Sequence, residues 1–293
     1  MNCNLCPRNC DVDRSINKGY CGQTDKIKVA RASLHMWEEP CISGERGSGT
    51  VFFSGCGLRC VFCQNFDIAK GDTGKEITVE RLAEIFCELK EKGAHNINLV
   101  TGDHFVPEII RALDIAKANG MDLPIVFNTS SYINKETLKC LENYVDIYLA
   151  DFKYFDNETA KKYSNAENYL QVAKTAIEEM VSQKGTPVYD DEGMMTKGVI
   201  VRHLLMPGHL QESKAIIRYV YEEYGERVVL SIMNQYTPLK QVEKYPEINR
   251  KLSPKEYERI ISYALSIGID NAFIQEGETA QESFIPQFDN RGI

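Results

Sequence analysis

From residue 49 onward, the sequence alternates short β-branched apolar runs with longer stretches in which apolar residues recur every three or four positions. Short apolar runs are typical of buried strands, and the longer periodic stretches are typical of amphipathic helices. Repeated βα alternation produces a parallel sheet that is covered by helices. The predicted strands are residues 50–54, 97–101, 125–128, 147–152, 199–206, 228–233 and 272–275.

The helices between these strands carry start and stop signals. The apolar stripe at residues 82–89 is followed by Gly93, and glycine adopts the left-handed conformation that ends many helices at little cost. Residues 253–256 read Ser-Pro-Lys-Glu, which predicts a capping box with proline at the first helical position. A turn-forming cluster at residues 190–193 predicts a β-hairpin that leads into the fifth strand.

These elements predict an α/β fold, namely a partial (β/α)6-type open barrel with a short Cys-rich N-terminal element. We expect residues 1–48 to form this Cys-rich, metal-binding element and residues 49–293 to form the partial barrel. In barrels of this kind the active site lies at the C-terminal ends of the strands. Side chains that follow a predicted strand directly are therefore the first candidates for function.

Ten cysteines are many for a chain of 293 residues, and eight of them precede residue 64. The chain has no apolar run long enough to cross a membrane, and its first residues do not resemble a signal peptide. We therefore expect a cytoplasmic protein without a membrane partner, in which thiols stay reduced and many cysteines indicate bound metal. The formal net charge of −8 argues against nucleic acid as a partner, because phosphate backbones attract Lys and Arg.

Three cysteines stand directly after the first predicted strand, at the predicted active end of the barrel. Cys56, Cys60 and Cys63 have the spacing C-x3-C-x2-C on a loop that contains Gly55 and Gly57. Three thiolates can ligate three of the four irons of a cubane, whereas an electron-carrying cluster normally takes four cysteines. The fourth iron would then stay open to a substrate or cofactor, as in catalytic zinc sites. A zinc site, or three unrelated buried thiols, is the alternative interpretation.

This motif, with an aromatic residue before its last cysteine, resembles the signature of the radical S-adenosylmethionine (SAM) superfamily. The resemblance is closer to the radical SAM proteins that are named for their similarity to the pyruvate formate-lyase activating enzyme. It rests on residues 31–65, which include Glu38-Glu39-Pro40-Cys41, and extends over nearly the whole chain. It continues through residues 202–204, 234–238 and 284–286.

The resemblance implies two cofactors, a [4Fe–4S] cluster and SAM, whose amino and carboxylate groups chelate the open iron. An electron then splits SAM into methionine and a 5′-deoxyadenosyl radical, which abstracts a hydrogen atom. By analogy, flavodoxin or ferredoxin supplies the electron and a glycyl-radical enzyme is the protein substrate. Radical modification of another peptide or of a small molecule is an alternative. A non-catalytic metal-binding or redox-sensing protein is the alternative from a different class.

Polar residues at the strand ends, together with the resemblance, define a candidate cofactor site, and no catalytic residue is assigned. Asp103 stands where the family usually has a Gly-Gly-Glu type motif, and could instead cap a helix. Asp151 and Lys153 would contact the SAM ribose and carboxylate, or form a structural ion pair. Arg202 requires a carboxylate partner, from SAM, Asp151 or a glutamate. The predicted cofactor-binding residues are Phe62, Thr101, Gly102, Asp103, Asn128, Asp151, Lys153 and Arg202.

A second cysteine group, Cys3, Cys6, Cys10 and Cys21, has the spacing C-x2-C-x3-C-x10-C. It lies in a segment with few apolar residues, which a bound metal would help to order. Four thiolates suit either tetrahedral zinc or a second Fe–S cluster, and their spacing alone does not separate the two. This group is predicted as a second metal site.

Overall fold

The computed structural model describes residues 3–269, 272–274 and 286–293. In this part of the chain, nine strands form one continuous sheet, and a tenth, short hairpin strand pairs with it outside that path. The strands are β1 (Lys28–His35), β2 (Ser48–Phe53), β3 (Lys75–Glu76), β4 (Ile97–Val100), β5 (Ile125–Thr129), β6 (Ile147–Asp151), β7 (Val188–Tyr189), β8 (Met195–Leu204), β9 (Val229–Met233) and β10 (Ala272–Ile274).

The sheet has the order β10-β9-β8-β6-β5-β4-β2-β1-β3, and β7 pairs with β8 outside this path. The strands from β2 to β10 along this path are parallel, and they correspond to the predicted strands. The path ends at β3 and β10, so the barrel is open, as predicted. The predicted hairpin is present, with β7 antiparallel to β8. The predicted last strand ended at Gln275, and the family resemblance included residues 284–285. These positions lie outside the described residues.

Helices connect the parallel strands and cover the sheet, as βα alternation requires. In α3 the predicted stripe of Leu82, Ile85, Phe86 and Leu89 is buried. The predicted capping box begins α9, where the Ser253 side chain accepts a hydrogen bond from the Glu256 backbone N–H. The helices are α1 (Pro40–Ser43), α2 (Phe66–Ala69), α3 (Val79–Glu91), α4 (Val106–Ala118), α5 (Lys135–Leu141), α6 (Asn157–Ser164), α7 (Tyr169–Lys184), α8 (Leu210–Tyr224) and α9 (Pro254–Ser266).

The N-terminal part of the chain contributes a strand that the sequence pattern did not predict. β1 runs antiparallel to β2 over most of its length, and the predicted boundary after residue 48 falls within β2. β1 escaped prediction because Lys28 and Arg31 interrupt its apolar pattern, although Val29, Ala30 and Ala32 are buried. Residues 28–35 therefore belong to the same sheet as the barrel strands.

The C-terminal residues 286–293 pack against β1. The backbone N–H of Asn290 donates to the carbonyl of Ala30 at 3.1 Å, and the N–H of Ala32 donates to the carbonyl of Arg291 at 2.9 Å. Phe288 contacts Phe52 edge-on, with ring centroids 5.6 Å apart. No helix in the described ranges is both long enough and apolar enough to span a bilayer.

Candidate active site

A cavity of about 220 Å³ opens at the C-terminal ends of the parallel strands. Its walls come from the loop after β2, from the ends of β4, β5, β6, β8 and β9, and from residues 35–38 after β1. Strand ends meet here because parallel strands place all their carboxyl ends at one edge of the sheet. The cavity therefore gathers side chains that are far apart in the sequence.

The loop after β2 presents Cys56, Cys60 and Cys63 to this cavity. Gly55 starts the loop with φ of 90°, a conformation that glycine adopts without strain. The backbone N–H groups of Leu58 and Arg59 donate to Cys56 Sγ at 3.3 and 3.4 Å. All three cysteines are free thiols. The loop thus turns three sulfur ligands toward one space.

The chemistry of these three sulfurs fits an iron–sulfur cluster. Burial raises the pKa of Cys56 to about 11 and raises that of Cys63 further, so the thiolates need a positively charged partner. A cubane brings that positive charge and takes each of the three thiolates on a different iron.

A network of charged groups centred on Arg202 also lines the cavity. Asp151 in β6 and Arg202 in β8 are paired residues on neighbouring strands, and Arg202 Nε donates to Asp151 Oδ1 at 2.8 Å. Arg202 Nη1 donates to Glu38 Oε2 at 3.0 Å, and Nη2 donates to Asn128 Oδ1 at 2.6 Å. Arg202 was expected to have a carboxylate partner, and within the protein Asp151 and Glu38 are its partners.

Lys153 lies beside this network and also lines the cavity. Its Nζ is 2.6 Å from Asp151 Oδ2, so the two side chains share one face of the chain, as their spacing predicted. Burial opposes the ionisation of Asp151, but Arg202 and Lys153 outweigh it and hold the pKa of Asp151 below its ordinary value. The Asp151 carboxylate is therefore charged, and its two oxygens bind two different cations.

Glu38 is a site residue that the sequence analysis did not single out. Its Oε1 accepts hydrogen bonds from Asn98 at 3.0 Å and from Asn128 at 3.4 Å, and its side chain lines the cavity. The adjacent Glu39 is buried, and burial raises its pKa. Two features of the sequence could have indicated Glu38. Arg202 lies in an apolar strand and needs carboxylate partners, and two consecutive glutamates stand just before Pro40.

The residues after β4 divide between the cavity and the core. Thr101 lines the cavity, whereas Gly102 and Asp103 are not among the described residues that line it. A Cβ on Gly102 would lie 2.7 Å from Ile109 Cδ1, so this glycine allows α4 to pack closely on the sheet. Asp103 Oδ1 accepts a hydrogen bond from Thr129 Oγ1, and burial raises the pKa of Asp103 to about 6.

Asp103 begins a single 3-10 turn, Asp103–Phe105, that leads into α4. The residue that precedes this turn is Gly102, and no side-chain hydrogen bond caps the turn. The Asp103 side chain therefore does not cap a helix, which was its alternative role, because its carboxylate contacts Thr129 of β5. The contact joins the ends of two neighbouring strands.

Phe62 lines the cavity but is only 4% exposed. Its ring packs among those of Tyr154, Tyr163 and Tyr236, with centroids 6.1, 6.5 and 6.1 Å away. Phe62 therefore anchors the cysteine loop in an aromatic cluster.

The N-terminal cysteines lie behind the same loop. The backbone N–H of Cys56 donates to the carbonyl of Cys21 at 3.3 Å, and Arg8 Nε donates to the carbonyl of Gly57 at 2.8 Å. Burial raises the pKa of Cys6 to about 12. Cys3, Cys6, Cys10 and Cys21 are free thiols. The two predicted cysteine groups are thus parts of one continuous region.

Known proteins resemble this chain in sequence. Uncharacterized protein MJ0674 of Methanocaldococcus jannaschii is 31% identical over 279 residues, which cover 92% of this chain and 76% of that protein. The pyruvate formate-lyase-activating enzyme of Clostridium pasteurianum is 29% identical over 178 residues, which cover 57% of this chain and 65% of the enzyme. The second match thus involves less than two thirds of the activating enzyme.

A solved structure has a similar fold. The FeFe-hydrogenase maturase HydG from Carboxydothermus hydrogenoformans superposes with a TM-score of 0.54 at 14% identity, over 78% of this chain and 54% of the maturase. This chain therefore spans about half of that structure. Residues 50–220 match the family model described as "Radical SAM superfamily", and this range contains the cysteine loop and most of the charged network. The chain belongs to the radical SAM superfamily.

Proposed function

We propose that this protein is an enzyme that cleaves SAM reductively to methionine and a 5′-deoxyadenosyl radical. The observation that carries the proposal is that Cys56, Cys60 and Cys63 open on the same cavity as the charged pair Asp151 and Lys153. The superfamily implies a [4Fe–4S] cluster and SAM, and the three cysteines would hold the cluster. When bound, the cluster would supply the electron that breaks the sulfonium bond.

The charged network would bind and orient SAM. Lys153 would donate to the SAM carboxylate, since it lines the cavity together with the cysteine loop, and Asp151 would accept from the ribose hydroxyls. Thr101 and Asn128 would contribute polar contacts from the ends of β4 and β5. Arg202 would act as a positioning residue, because its guanidinium already binds Asp151, Glu38 and Asn128.

For the radical's target, we propose a glycyl-radical enzyme, whose backbone glycine would lose an α-hydrogen. The support is the similarity to a pyruvate formate-lyase-activating enzyme, over part of that protein. The electron would come from a reduced flavodoxin or ferredoxin in the cytoplasm. The proposal also assigns a second metal, zinc or an Fe–S cluster, to Cys3, Cys6, Cys10 and Cys21. Another peptide or a small molecule is the alternative target.

The test is anaerobic incubation of the iron-loaded, dithionite-reduced protein with SAM. We expect release of 5′-deoxyadenosine, and we expect Cys60→Ala to abolish it while Cys140→Ala, an exposed cysteine outside the cavity, keeps it. If wild-type protein with a full complement of iron and sulfide releases none, a non-catalytic metal-binding or redox-sensing role replaces the enzymatic one.

Deuterium transfer separates the two kinds of target. A peptide with the glycine-loop sequence of a glycyl-radical enzyme, deuterated at the glycine α-carbon, should pass deuterium to 5′-deoxyadenosine. A matched peptide with alanine in place of glycine is the control. Release of unlabelled 5′-deoxyadenosine only, at the same rate with both peptides, would exclude the glycyl-radical target and leave SAM cleavage intact.

A further inference from the structure

The N-terminal cysteine group is in direct contact with the loop that carries the other three cysteines. Cys21 and Cys56 share a backbone hydrogen bond of 3.3 Å. A Cβ placed on Gly57 would lie 3.4 Å from Cys6 Sγ, which is ordinary van der Waals contact. Gly57 lies inside the C-x3-C-x2-C loop, so the Cys6 sulfur touches the loop that would hold the first cluster.

The four N-terminal sulfurs also share one space. A Cβ on Gly19 would lie 3.6 Å from both Cys10 Sγ and Cys21 Sγ, so these two sulfurs flank the same small residue. The Cys6 sulfur lies close enough to those of Cys21, Cys10 and Cys3 to interact with each of them electrostatically. The backbone N–H of Tyr20 donates to Cys10 Sγ at 3.1 Å.

Two arginines lie beside this group. The Arg8 guanidinium lies 4.1 Å from the centre of the Tyr20 ring, and that of Arg59 lies 5.2 Å from the same ring. Arg8 Nε also donates to the carbonyl of Gly57, the residue next to Cys6 Sγ. This positive charge favours an anionic thiolate–metal centre at this position.

The position of the group favours an Fe–S cluster, because its spacing alone fits either centre. Cys3, Cys6 and Cys10 form a run C-x2-C-x3-C, the reverse of the C-x3-C-x2-C at residues 56–63. The group lies directly against the loop that would hold the first cluster, through Cys21 with Cys56 and Cys6 with Gly57. Zinc has no redox chemistry, whereas an Fe–S cluster at this position could carry an electron to the first cluster.

We propose that Cys3, Cys6, Cys10 and Cys21 hold a second [4Fe–4S] cluster that passes electrons to the cluster at Cys56, Cys60 and Cys63. Cys6 and Cys21 are only 9% and 6% exposed and face the loop, whereas Cys3 and Cys10 are half-buried. One side of the second cluster would therefore be open to a donor protein. The role of this cluster as an electron relay rests on the proposed SAM cleavage, whereas the assignment of the cluster to these four cysteines does not.

The electron count is balanced in each transfer. A reduced low-potential flavodoxin or ferredoxin would give one electron to the second cluster and become oxidised by one electron. The second cluster would give that electron to the first cluster and return to its oxidised state. No proton or further reactant takes part. The SAM-binding cluster would thus be reduced from its buried side, away from the cavity.

Metal analysis of the anaerobically reconstituted full chain tests the assignment. Wild type should contain about eight irons per chain, four for each cluster, without stoichiometric zinc. The Cys3→Ala/Cys6→Ala variant should lose about half of its iron, and so should Cys56→Ala/Cys60→Ala/Cys63→Ala. Cys87→Ala/Cys140→Ala, which removes two cysteines outside both groups, should keep all of it.

Wild type with about four irons and one zinc per chain would overturn the second cluster. This count does not depend on the folding of any variant. It also separates the two proposals. Wild type with about eight irons that does not cleave SAM would sink the proposed function alone, and SAM cleavage with about four irons would sink this inference alone.

The relay is tested by following the reduction of the clusters by electron paramagnetic resonance. In Cys3→Ala/Cys6→Ala, a reduced flavodoxin should no longer reduce the remaining cluster, whereas dithionite, a small reductant, should still do so. Reduction by flavodoxin at the wild-type rate would overturn the relay. Failure of both reductants would overturn it too, because it would show that the variant damages the first cluster directly.

Discussion

Arg202 and Asp151 are paired residues on the neighbouring parallel strands β8 and β6, and their side chains join at 2.8 Å at the edge of the cavity. The same guanidinium reaches Glu38, which precedes α1 and lies 164 residues away in the sequence. This arrangement ties the N-terminal part of the chain to two barrel strands.

Arg202→Met should strongly destabilise the protein. The substitution leaves the largely buried carboxylates of Asp151 and Glu38, 14% and 10% exposed, without their shared cation. Breaking buried pairs in this way costs about 3–5 kcal/mol. Arg81→Met removes exposed pairs with Glu84 and Glu88 and should cost less than about 1 kcal/mol. Urea denaturation of both variants at equal iron content measures the difference. Equal costs would show that the Arg202 network contributes no more than a surface pair.

Lys153→Met should weaken SAM binding about ten- to hundredfold, because a hydrogen bond to a charged group contributes about 1.5–3 kcal/mol. Equilibrium dialysis of the iron-loaded protein against SAM measures the affinity. Lys162→Met is the matched control, since Lys162 forms an exposed pair with Glu247 outside the cavity. If SAM binds both variants as tightly as wild type, Lys153 serves only as the structural partner of Asp151.

Gly55→Ala should disturb the contact between the N-terminal cysteines and the loop after β2. A Cβ at Gly55 would lie 2.6 Å from the backbone oxygen of Cys21, which has no room to move aside. Gly93 has a similar φ of 85°, but no atom lies within 4 Å of a Cβ added there. Gly93→Ala therefore measures the cost of the positive φ alone, without a steric clash. That strain costs about 1–2 kcal/mol.

Gly55→Ala should therefore lose more stability than Gly93→Ala, and it should also lose bound iron. Urea denaturation and iron analysis of the two variants test this. Matching stability and iron content in both variants would mean that the close approach of Cys21 to Gly55 is not needed.

The stability of the protein should fall as the pH falls from about 6.5 to about 4. His203 is buried, with Nδ1 donating to the carbonyl of Phe152 at 2.8 Å, and burial lowers its pKa from 6.5 to about 4. The unfolded chain therefore binds a proton at a higher pH than the folded chain does. His203 contributes about 3 kcal/mol to this loss, and its contribution is absent above pH ~6.5.

His203→Asn should remove this part of the acid sensitivity, whatever it costs at neutral pH. The difference in unfolding free energy between the variant and wild type, measured by urea denaturation from pH 4 to pH 7, should shrink as the pH falls. His95→Asn is the control, because His95 is only half-buried whereas His203 is buried. A difference that stays constant over this range would contradict the prediction for His203.

The local pattern of the sequence was enough to predict the parallel strands, the open barrel and the position of Cys56, Cys60 and Cys63 at its active end. These features depend on neighbouring residues, since a strand or helix shows its type through the spacing of its apolar side chains. β1 was missed for the same reason, because Lys28 and Arg31 obscure the pattern even though the strand pairs with β2.

The sequence by itself therefore determined the order of the elements and the donor set of the cysteine loop. Only the tertiary structure decided that Glu38 binds Arg202, that Asp103 contacts Thr129, and that Cys6 rests on Gly57. Such contacts depend on how loops and strand ends pack in three dimensions. A charged residue within an apolar strand indicates that a partner is needed. Which residue is that partner depends on distance in space, and the spacing of residues along the chain does not encode this distance.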